Sequence, residues 1–327
     1  MEKKNTLLAF CFKVVLLVVI LFGVDRLVGA SFVKMKDVGL ERNPYHQWTK
    51  TAYVLEKCDA ECVIIGSSRA EHSYITDMLV DSLEMSVYDG GQGGCFFLYQ
   101  NCIINMLLDR RVPKKIIWDV QPESLPENSS LAEYQNVRYL SPYYDSDIWA
   151  KHFIDSQDRK ACIRMACHQF RYNSNFVQYL MPVLGIGSIT KGGYDPLPTE
   201  GYKYPVLKTL PDYEQEIGMD KEKVRQFEAT LKRCKEKQVD LTLFVSPSFV
   251  VNNGTYRKAV DLMKEIANVN GYTLYDFSSD NSFLSDSTLF KDGSHLNANG
   301  ARLYTEKVIW QILRRDTFYD DNKHEIH

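Results

Sequence analysis

The sequence lacks an extended basic region, internal repeats and low-complexity segments. Its 42 aspartate and glutamate residues outnumber its 39 lysine and arginine residues, which leaves a formal net charge of -3. Nucleic-acid binding depends on a positive surface that displaces counterions from phosphates, so nucleic acid is not an expected partner. With 45% hydrophobic and 25% charged residues, the composition is that of an ordinary globular protein.

The eight cysteines form no C-x-x-C unit, and no histidine accompanies them at metal-ligand spacing. A metal site is therefore not predicted. Two pairs are close in sequence, Cys58 with Cys62 and Cys162 with Cys167. Disulfides are permitted there if the domain lies outside the cytoplasm. The alternative is that most of the cysteines are small buried hydrophobic residues.

A long apolar run near the N-terminus covers residues 7–24 and contains one charged residue, Lys13. A helix needs about 20 apolar residues to cross a bilayer core, so this run has the length of a transmembrane helix. Lys3, Lys4 and Lys13 predict a cytoplasmic N-terminus and an extracytoplasmic main domain. The membrane lipid bilayer is therefore an expected partner.

The fate of this segment has two interpretations. Residues 28–30 (Val-Gly-Ala) have the small side chains of a signal-peptide cleavage site. Asp25 and Arg26 separate them from the apolar run, which favours a single-pass anchor that is not cleaved. The predicted organisation is a cytoplasmic tail (1–6), a transmembrane anchor (7–24), a linker and lead-in (25–57) and one main domain (58–327).

Beyond residue 57, short apolar segments alternate with amphipathic helical ones. The predicted strands are 62–66, 85–88, 114–120, 240–246 and 272–277. Such alternation predicts a parallel sheet with helices on both faces, that is, an α/β fold of three αβα layers with flavodoxin-like topology and about five strands. Residues 123–218 break the alternation and are predicted to be a large central insertion, or cap. Its many tyrosines suit either sugar stacking or an aromatic core under the loops.

Polar segments follow three of the predicted strands, and a fourth precedes the last helix. The segments are GSSR (66–69), DGGQGG (89–94), DVQ (119–121) and DGSHLN (292–297). Ligands bind at the carboxyl ends of the strands in an open parallel sheet. We therefore expect these four segments to lie together and to form the functional site.

Ser68 is the predicted nucleophile, because it lies where a strand gives way to a helix and its hydroxyl can project above the sheet. A serine hydroxyl attacks only when a base takes its proton. Asp292 and His295 are three residues apart in a turn, where the carboxylate can orient the imidazole and stabilise its cation. Two alternatives stand beside this prediction: Ser67 is the nucleophile, or Ser68 only caps the helix.

The first and last of these segments resemble blocks of the SGNH/GDSL hydrolase superfamily. The first block of that family, Gly-Asp-Ser, corresponds to residues 66–68 (Gly-Ser-Ser). The last block, Asp-x-x-His, corresponds to Asp292 and His295, and a His-Leu-Asn-x-x-Gly continuation follows here. The resemblance implies the same Ser-His-Asp roles for Ser68, His295 and Asp292.

The two middle blocks concern the oxyanion hole, to which the Ser68 amide also belongs in this family. The second block is similar to residues 88–94 (YDGGQGG) and places its donor glycine at Gly94. The third block, Gly-x-Asn-Asp in the family, is replaced by residues 119–122 (Asp-Val-Gln-Pro). Gln121 is the residue that stands in for the asparagine donor.

An altered third block, a Gly-Ser-Ser block and an N-terminal anchor are features of an envelope-anchored subset of the superfamily. That subset includes the D-alanine transfer protein of teichoic acid and acetyltransferase-like proteins of polysaccharide clusters. The resemblance implies an acyl ester hydrolase or O-acyltransferase that uses an acyl-enzyme and no cofactor. It also implies an envelope polysaccharide or acylated glycan as substrate and a multi-span membrane acyltransferase as partner. The alternative is a catalytically inactive domain that binds polysaccharide or assists such an acyltransferase.

Other polar residues near the predicted site have two interpretations each. Arg69 is either a contact to a substrate carboxylate or phosphate, or a solvated first-turn residue. Asp119 is either a substrate contact or a strand-end carboxylate satisfied by loop amides. Gly94 either serves the oxyanion or lets a helix pack close to the sheet. His72, one turn beyond Ser68, is either a second base or an exposed helix histidine, and we expect the exposed histidine.

Overall fold

The computed structural model describes residues 2–129, 131, 133–187, 190–202, 207–211 and 217–324, with side chains described between residues 6 and 315. Its strands are β1 (Cys62–Ile65), β2 (Val87–Asp89), β3 (Lys115–Asp119), β4 (Lys208–Thr209), β5 (Asp240–Val245), β6 (Val250–Val251) and β7 (Thr273–Asp276). Strands β4 and β6 form a separate two-stranded parallel ladder.

The helices begin with α1 and α2, which precede the sheet, and end with α14, which follows it. Their bounds are α1 (Glu2–Arg42), α2 (Lys50–Glu56), α3 (Ser68–Ser73), α4 (Thr76–Leu83), α5 (Phe97–Arg110), α6 (Val137–Leu140), α7 (Ile148–Gln157), α8 (Ala161–Ala166), α9 (His168–Asn173), α10 (Phe176–Leu184), α11 (Lys221–Glu236), α12 (Gly254–Val269), α13 (Asn281–Leu284) and α14 (Ala298–His324).

The main sheet has five parallel strands in the order β2-β1-β3-β5-β7. The predicted α/β fold with about five parallel strands is confirmed, and the strand ends differ from the prediction by one or two residues. The chain starts at β1, moves outward to β2 and returns to β3 on the other side of β1. The direction of winding therefore reverses between β1 and β3, and the carboxyl ends at such a reversal are the usual ligand-binding position in open parallel sheets.

Strand β1, which lies inside the sheet, is apolar along its whole length, and its alternate residues enter two different hydrophobic clusters. In β1, Val63 and Ile65 belong to one cluster, whereas Cys62 and Ile64 belong to the other. The first cluster includes residues of α5, α11 and α12, and the second includes residues of α3, α4 and α14. Burial of one such aliphatic side chain stabilises the fold by about 1.5–3 kcal/mol. Both sides of the strands are therefore held, and the strand ends that carry the site are rigidly placed.

Helix α1 is longer than the predicted anchor. It runs without a break from Glu2 to Arg42, so the boundary predicted at residue 24 is not a helix end. No proline interrupts this stretch before Pro44, and a proline disfavours helical backbone in the residue before it. Within the described residues, Thr6–Arg42 is a helix long and apolar enough to cross a membrane, with a mean hydropathy of 2.9 in its most apolar window.

The insertion folds as a group of short helices, α6 to α10, that packs against the second half of α1. The Phe32 ring of α1 stacks on Tyr172 and meets the Phe176 ring edge-on, with centroids 6.0 and 6.2 Å apart. The buried tyrosines of the insertion include Tyr139, Tyr144, Tyr172, Tyr179 and Tyr194. Their rings are packed inside the molecule, so they do not present open faces to a sugar.

The eight cysteines are free thiols in the structure. The two sequence-adjacent pairs, Cys58 with Cys62 and Cys162 with Cys167, are not joined by disulfides. Cys62 is the first residue of the buried strand β1, whereas Cys162 and Cys167 are exposed on the insertion. The interpretation as small buried hydrophobic residues holds for Cys58, Cys62, Cys95, Cys102 and Cys234.

Candidate active site

The turn between β1 and α3 is built around two serines and a glycine. Ser67 is the N-cap of α3, and its hydroxyl accepts a hydrogen bond from the Arg69 amide. Ser68 is the first helical residue. A Cβ at Gly66 would lie 2.5 Å from the Ala70 Cβ and 2.9 Å from the Asp119 Cβ. The turn thus requires glycine at 66, assigns the cap to Ser67 and leaves the Ser68 hydroxyl for another partner.

That partner is the imidazole of His295. Ser68 Oγ lies 2.7 Å from His295 Nε2. On the other side of the ring, His295 Nδ1 lies 2.9 and 3.0 Å from the two carboxylate oxygens of Asp292. The structure therefore brings the three predicted residues into one continuous hydrogen-bonded chain, although Ser68 and His295 are 227 positions apart.

Asp292 is held as an anion at the start of its turn. Burial raises its pKa, but hydrogen bonds from the His295 ring and the Ser294 amide, together with the His295 charge, outweigh burial and leave the pKa below its ordinary value. An ionised Asp292 accepts a hydrogen bond from the Nδ1–H group, so Nε2 is the free acceptor that faces the Ser68 hydroxyl. This is the arrangement that a general base requires.

The residues after His295 fix the loop to the first turn of α14. The side-chain oxygen of Asn297 (Oδ1) caps α14 by accepting hydrogen bonds from the backbone amides of Asn299 and Gly300, at 3.0 and 3.1 Å. Its amide group donates to the Thr288 carbonyl at 2.7 Å. A Cβ at Gly300 would lie 2.1 Å from the Leu289 carbonyl oxygen. The His-Leu-Asn-x-x-Gly pattern is therefore explained by one side chain that joins two loops and one glycine that lets the helix approach.

The Gly-rich loop after β2 packs directly against α3. A Cβ at Gly91 would lie 2.7 Å from the Glu71 amide nitrogen, and one at Gly93 would lie 3.9 Å from the Ser68 Cβ. Gly94 has a φ of +71°, a backbone conformation that glycine adopts without strain. Among the described residues, no hydrogen-bond acceptor is found for the backbone N–H groups of Ser68, Gly93 and Gly94. These groups are available to a bound oxyanion.

Gln121 follows β3 and is buried, with 2% of its surface exposed. Its amide nitrogen donates to the Ser67 hydroxyl, and its carbonyl oxygen accepts from the Gln100 amide at 3.1 Å. The Gln100 carbonyl oxygen in turn accepts from the Trp118 indole at 2.9 Å. In this structure Gln121 thus supports Ser67, the residue next to Ser68, through a chain of amides that reaches into the core.

Arg69 and Asp119 both lie inside the domain, away from the open part of the site. Asp119 is fully buried and accepts hydrogen bonds from the Tyr74 hydroxyl at 2.7 Å and the Ser246 hydroxyl at 3.1 Å. Burial raises its pKa to about 6 against the lowering effect of the Arg69 charge. Arg69 is also buried and pairs with Glu123 at 2.9 Å. The solvated alternative for Arg69 is therefore wrong. Asp119 is satisfied as the strand-end alternative supposed, but by hydroxyls and not by the loop amides named there.

A second histidine–aspartate contact adjoins the site and was not predicted. The His72 ring meets the His295 ring edge-on, with centroids 5.7 Å apart. His72 Nδ1 donates to the Asp195 carbonyl at 2.7 Å. His72 is only 13% exposed in its side chain, so the expectation of an exposed residue is wrong. Asp195 comes from the insertion, and no local pattern in the sequence links it to His72.

Lys50 and Asp89 hold the Gly-rich loop through hydrogen bonds to the Gly91 backbone, and both side chains are fully buried. Lys50 Nζ donates to the Gly91 carbonyl at 2.7 Å and lies 3.4 Å from the Glu71 carboxylate. Asp89 accepts from the Gly91 amide at 2.7 Å. Burial raises the pKa of Asp89 to about 8 despite the nearby Lys50 charge. A buried lysine in the lead-in helix α2 has no signature in the sequence.

The described residues contain no group of three or more His, Cys, Asp or Glu side chains arranged to hold a metal ion. No protein-family model matches the sequence, and no curated protein matches it.

Proposed function

We propose that the chain is a membrane-anchored serine esterase or O-acyltransferase of the SGNH type. The observation that carries the proposal is the chain of hydrogen bonds from the Ser68 hydroxyl through His295 to Asp292. A serine with a purely structural role does not require a histidine partner that is itself oriented by a carboxylate. This arrangement is the one that activates a hydroxyl for attack on a carbonyl.

In the proposed reaction, Ser68 Oγ attacks the carbonyl carbon of an ester while its proton passes to His295 Nε2. The carbonyl oxygen becomes an oxyanion, which accepts hydrogen bonds from the amides of Ser68 and Gly94. The bond to the leaving oxygen then breaks, and His295 returns the proton to the leaving alcohol. Water or a sugar hydroxyl next attacks the acyl-enzyme and gives its proton to His295. The bond between the acyl carbon and Ser68 Oγ then breaks, His295 returns the proton to Ser68 Oγ, and the acid or the new ester is released. Asp292 stabilises the imidazolium in both halves.

The strand order supports this assignment of fold. Counted within the main sheet alone, the order β2-β1-β3-β5-β7 is the 2-1-3-4-5 order of flavodoxin-like sheets. We infer a three-layer αβα domain, because the strands alternate between two hydrophobic clusters that contain different helices. Ser68 lies at the end of β1, where the winding reverses, and this is the usual ligand site of such sheets.

The apolar helix supports the proposed location and substrate class. An anchor at residues 7–24 with lysines on its N-terminal side would leave the main domain outside the cytoplasm. A site tethered there meets envelope polysaccharide or lipid-linked glycan at high local concentration. We therefore propose acyl esters of these polymers as substrates and a multi-span membrane acyltransferase as a source of acyl groups.

Turnover of a small activated ester tests the chemistry without knowledge of the natural substrate. The full-length protein in detergent micelles should hydrolyse p-nitrophenyl acetate, and Ser68→Ala should reduce kcat to the background rate. Ser67→Ala is the matched control, because it removes the neighbouring hydroxyl and keeps the nucleophile. It should lower kcat by about tenfold or less, since a cap and one hydrogen bond are lost. Equal turnover by Ser68→Ala and the unmodified protein would contradict the proposal.

A non-catalytic scaffold for polysaccharide or for an acyltransferase is the second candidate. The observation that favours it is the position of Gln121, whose amide is engaged by Ser67 and so differs from the side-chain donor that the SGNH third block supplies. A scaffold would leave p-nitrophenyl acetate unchanged in both serine variants and in the unmodified protein. Ester turnover that depends on Ser68 would exclude it.

A further inference from the structure

The corner between α8 and α9, here residues 159–170, is fixed to α1 directly beyond the apolar run. The Asp25 carboxylate accepts hydrogen bonds from the backbone amides of His168 and Gln169, at 3.0 and 2.9 Å. These amides belong to the first turn of α9. Asp25 therefore caps a helix that lies more than 140 positions away in the sequence.

Two neighbouring residues of α1 fix the same contact. The Arg26 guanidinium donates to the Ala166 carbonyl at 3.0 Å. A Cβ at Gly29 would lie 2.6 Å from the His168 Cβ, so the two helices approach as closely as glycine allows. With Asp25, these contacts hold the α8–α9 corner at a defined level of α1.

That level coincides with the last turn of the apolar run. Leu21 and Phe22 line one shallow groove together with Ile163 and Cys167 of the corner. Leu21 and Phe22 belong to the segment proposed to cross the bilayer, and successive residues of a helix rise by about 1.5 Å. Ile163 therefore reaches the boundary between headgroups and acyl chains if residues 7–24 span the membrane.

The surface of the corner has the chemistry of a membrane-binding surface. Ile163 is 70% exposed and Phe170 is 53% exposed. The same corner carries exposed cationic side chains, and the Arg164 guanidinium, which pairs with Asp158 at 2.9 Å, stands 5.4 Å above the Phe170 ring. These cations are Arg159, Lys160 and Arg164. Apolar side chains flanked by cations insert at the interface of an anionic bilayer while the cations meet lipid phosphates.

We propose that the α8–α9 corner is a second membrane contact, in which Ile163 and Phe170 enter the interface of an anionic lipid bilayer. Arg159 and Lys160 face the lipid headgroups. The proposal rests on the membrane anchor in the proposed function and is independent of the ester chemistry. A helix and a corner that both touch the bilayer fix the tilt of the domain, and hence the distance of Ser68 from the membrane.

Spin-label accessibility on the full-length protein in nanodiscs of phosphatidylethanolamine and phosphatidylglycerol tests the contact. The exposed cysteines are first replaced, as Cys11→Ser, Cys162→Ser and Cys167→Ser. Single labels are then placed by Ile163→Cys, Phe170→Cys, Ile148→Cys and Val18→Cys. Ile148 is the matched control, because it is an isoleucine of similar exposure, 74%, on α7. Val18 reports on the anchor itself.

Labels at 163 and 170 should show a severalfold higher ratio of oxygen to nickel-chelate accessibility than the label at 148. The label at 18 should show a high ratio as well. Low ratios at 163 and 170 beside a high ratio at 18 would overturn the second contact and leave the anchor standing. A low ratio at 18 would overturn the anchor and the contact together.

The role of the cations has its own test in the same nanodiscs. Arg159→Glu with Lys160→Glu should reduce the oxygen-to-nickel ratio at 163, because the negative surface then repels the corner. The ratio at 18 should stay the same. An unchanged ratio at 163 would overturn the proposed contact of these cations with lipid phosphates.

Discussion

Ser67 and Ser68 are adjacent and chemically identical, yet their partners separate their roles. The Ser67 hydroxyl accepts from Arg69 and from Gln121, so it belongs to the buried support of the turn. The Ser68 hydroxyl faces His295 Nε2, whose ring is oriented from the other side by Asp292. A nucleophile needs a base within hydrogen-bond reach, and this criterion favours Ser68 over Ser67 as the proposed nucleophile.

The contribution of Asp292 is testable with a nearly isosteric change. Asp292→Asn keeps the shape of the turn but removes the charge that holds the Nδ1 proton and stabilises the imidazolium. We expect kcat for p-nitrophenyl acetate to fall by about 10³–10⁴ with KM little changed. Asp286→Asn is the matched control, since Asp286 makes a similar turn to Thr288 without contacting His295. Comparable losses in both variants would refute the orienting role.

Asp89 predicts how stability depends on pH. Its pKa is raised by burial from 3.8 to about 8, so the folded chain keeps this proton after the unfolded chain has lost it. The stabilising contribution is complete below pH 4 and is lost as pH rises towards 8, by about 1.4 kcal/mol for each pKa unit.

An amide in place of the acid removes this dependence on pH. Asp89→Asn should therefore gain thermal stability relative to the unmodified protein as pH rises from 4 to 8, when both are followed by thermal unfolding. Asp81→Asn, at an exposed position of α4, controls for loss of a surface charge. A difference between Asp89→Asn and the unmodified protein that is constant over this pH range would contradict the protonated state of Asp89.

Helix α3 carries Ser68, so the site depends on how this helix packs against the sheet. The turn into this helix has no room for a side chain at Gly66, where a Cβ would lie 2.5 Å from the Ala70 Cβ. Gly66→Ala should therefore displace α3, cost about 1–3 kcal/mol of stability and lower kcat by about 10² or more, because the nucleophile shifts.

Gly293→Ala is the matched control for Gly66→Ala, and it lies on the His295 side of the same site. A Cβ at Gly293, between Asp292 and His295 in the loop, has no atom within 4 Å. Gly293→Ala should leave both the unfolding temperature and kcat nearly unchanged. Thermal unfolding and ester turnover of the two variants check this pair of expectations, and an equal response would show that the close approach at Gly66 is unimportant.

The elements that were predictable are those with a local signature. Strand β1 is an apolar run that ends in glycine and serine, and the turn at Asp292 carries its histidine three residues later. Arg69 could not be placed, because its burial depends on Glu123, 54 positions away. Lys50 and Asp195 reach the site only through the packing of α2 and the insertion, and no periodic pattern records such contacts.

Helix α1 is unbroken, and it joins the apolar N-terminal segment directly to the helices of the insertion. Its 41 residues form a helix about 60 Å long, which exposes its apolar first half and packs its second half against α9 and α10. The apolar first half of this helix was predictable from composition. The helical course of residues 25–42 was not, because its partners, among them Tyr172 and Phe176, lie on the insertion.

The central claim is that Ser68 is an activated nucleophile in the assembled protein. Incubation of the full-length protein with a fluorophosphonate probe, followed by peptide mass mapping, tests it most directly. We expect one covalent adduct on Ser68, which persists in Ser67→Ala and is lost in His295→Ala. Absence of any adduct, or an adduct on Ser67, would contradict it.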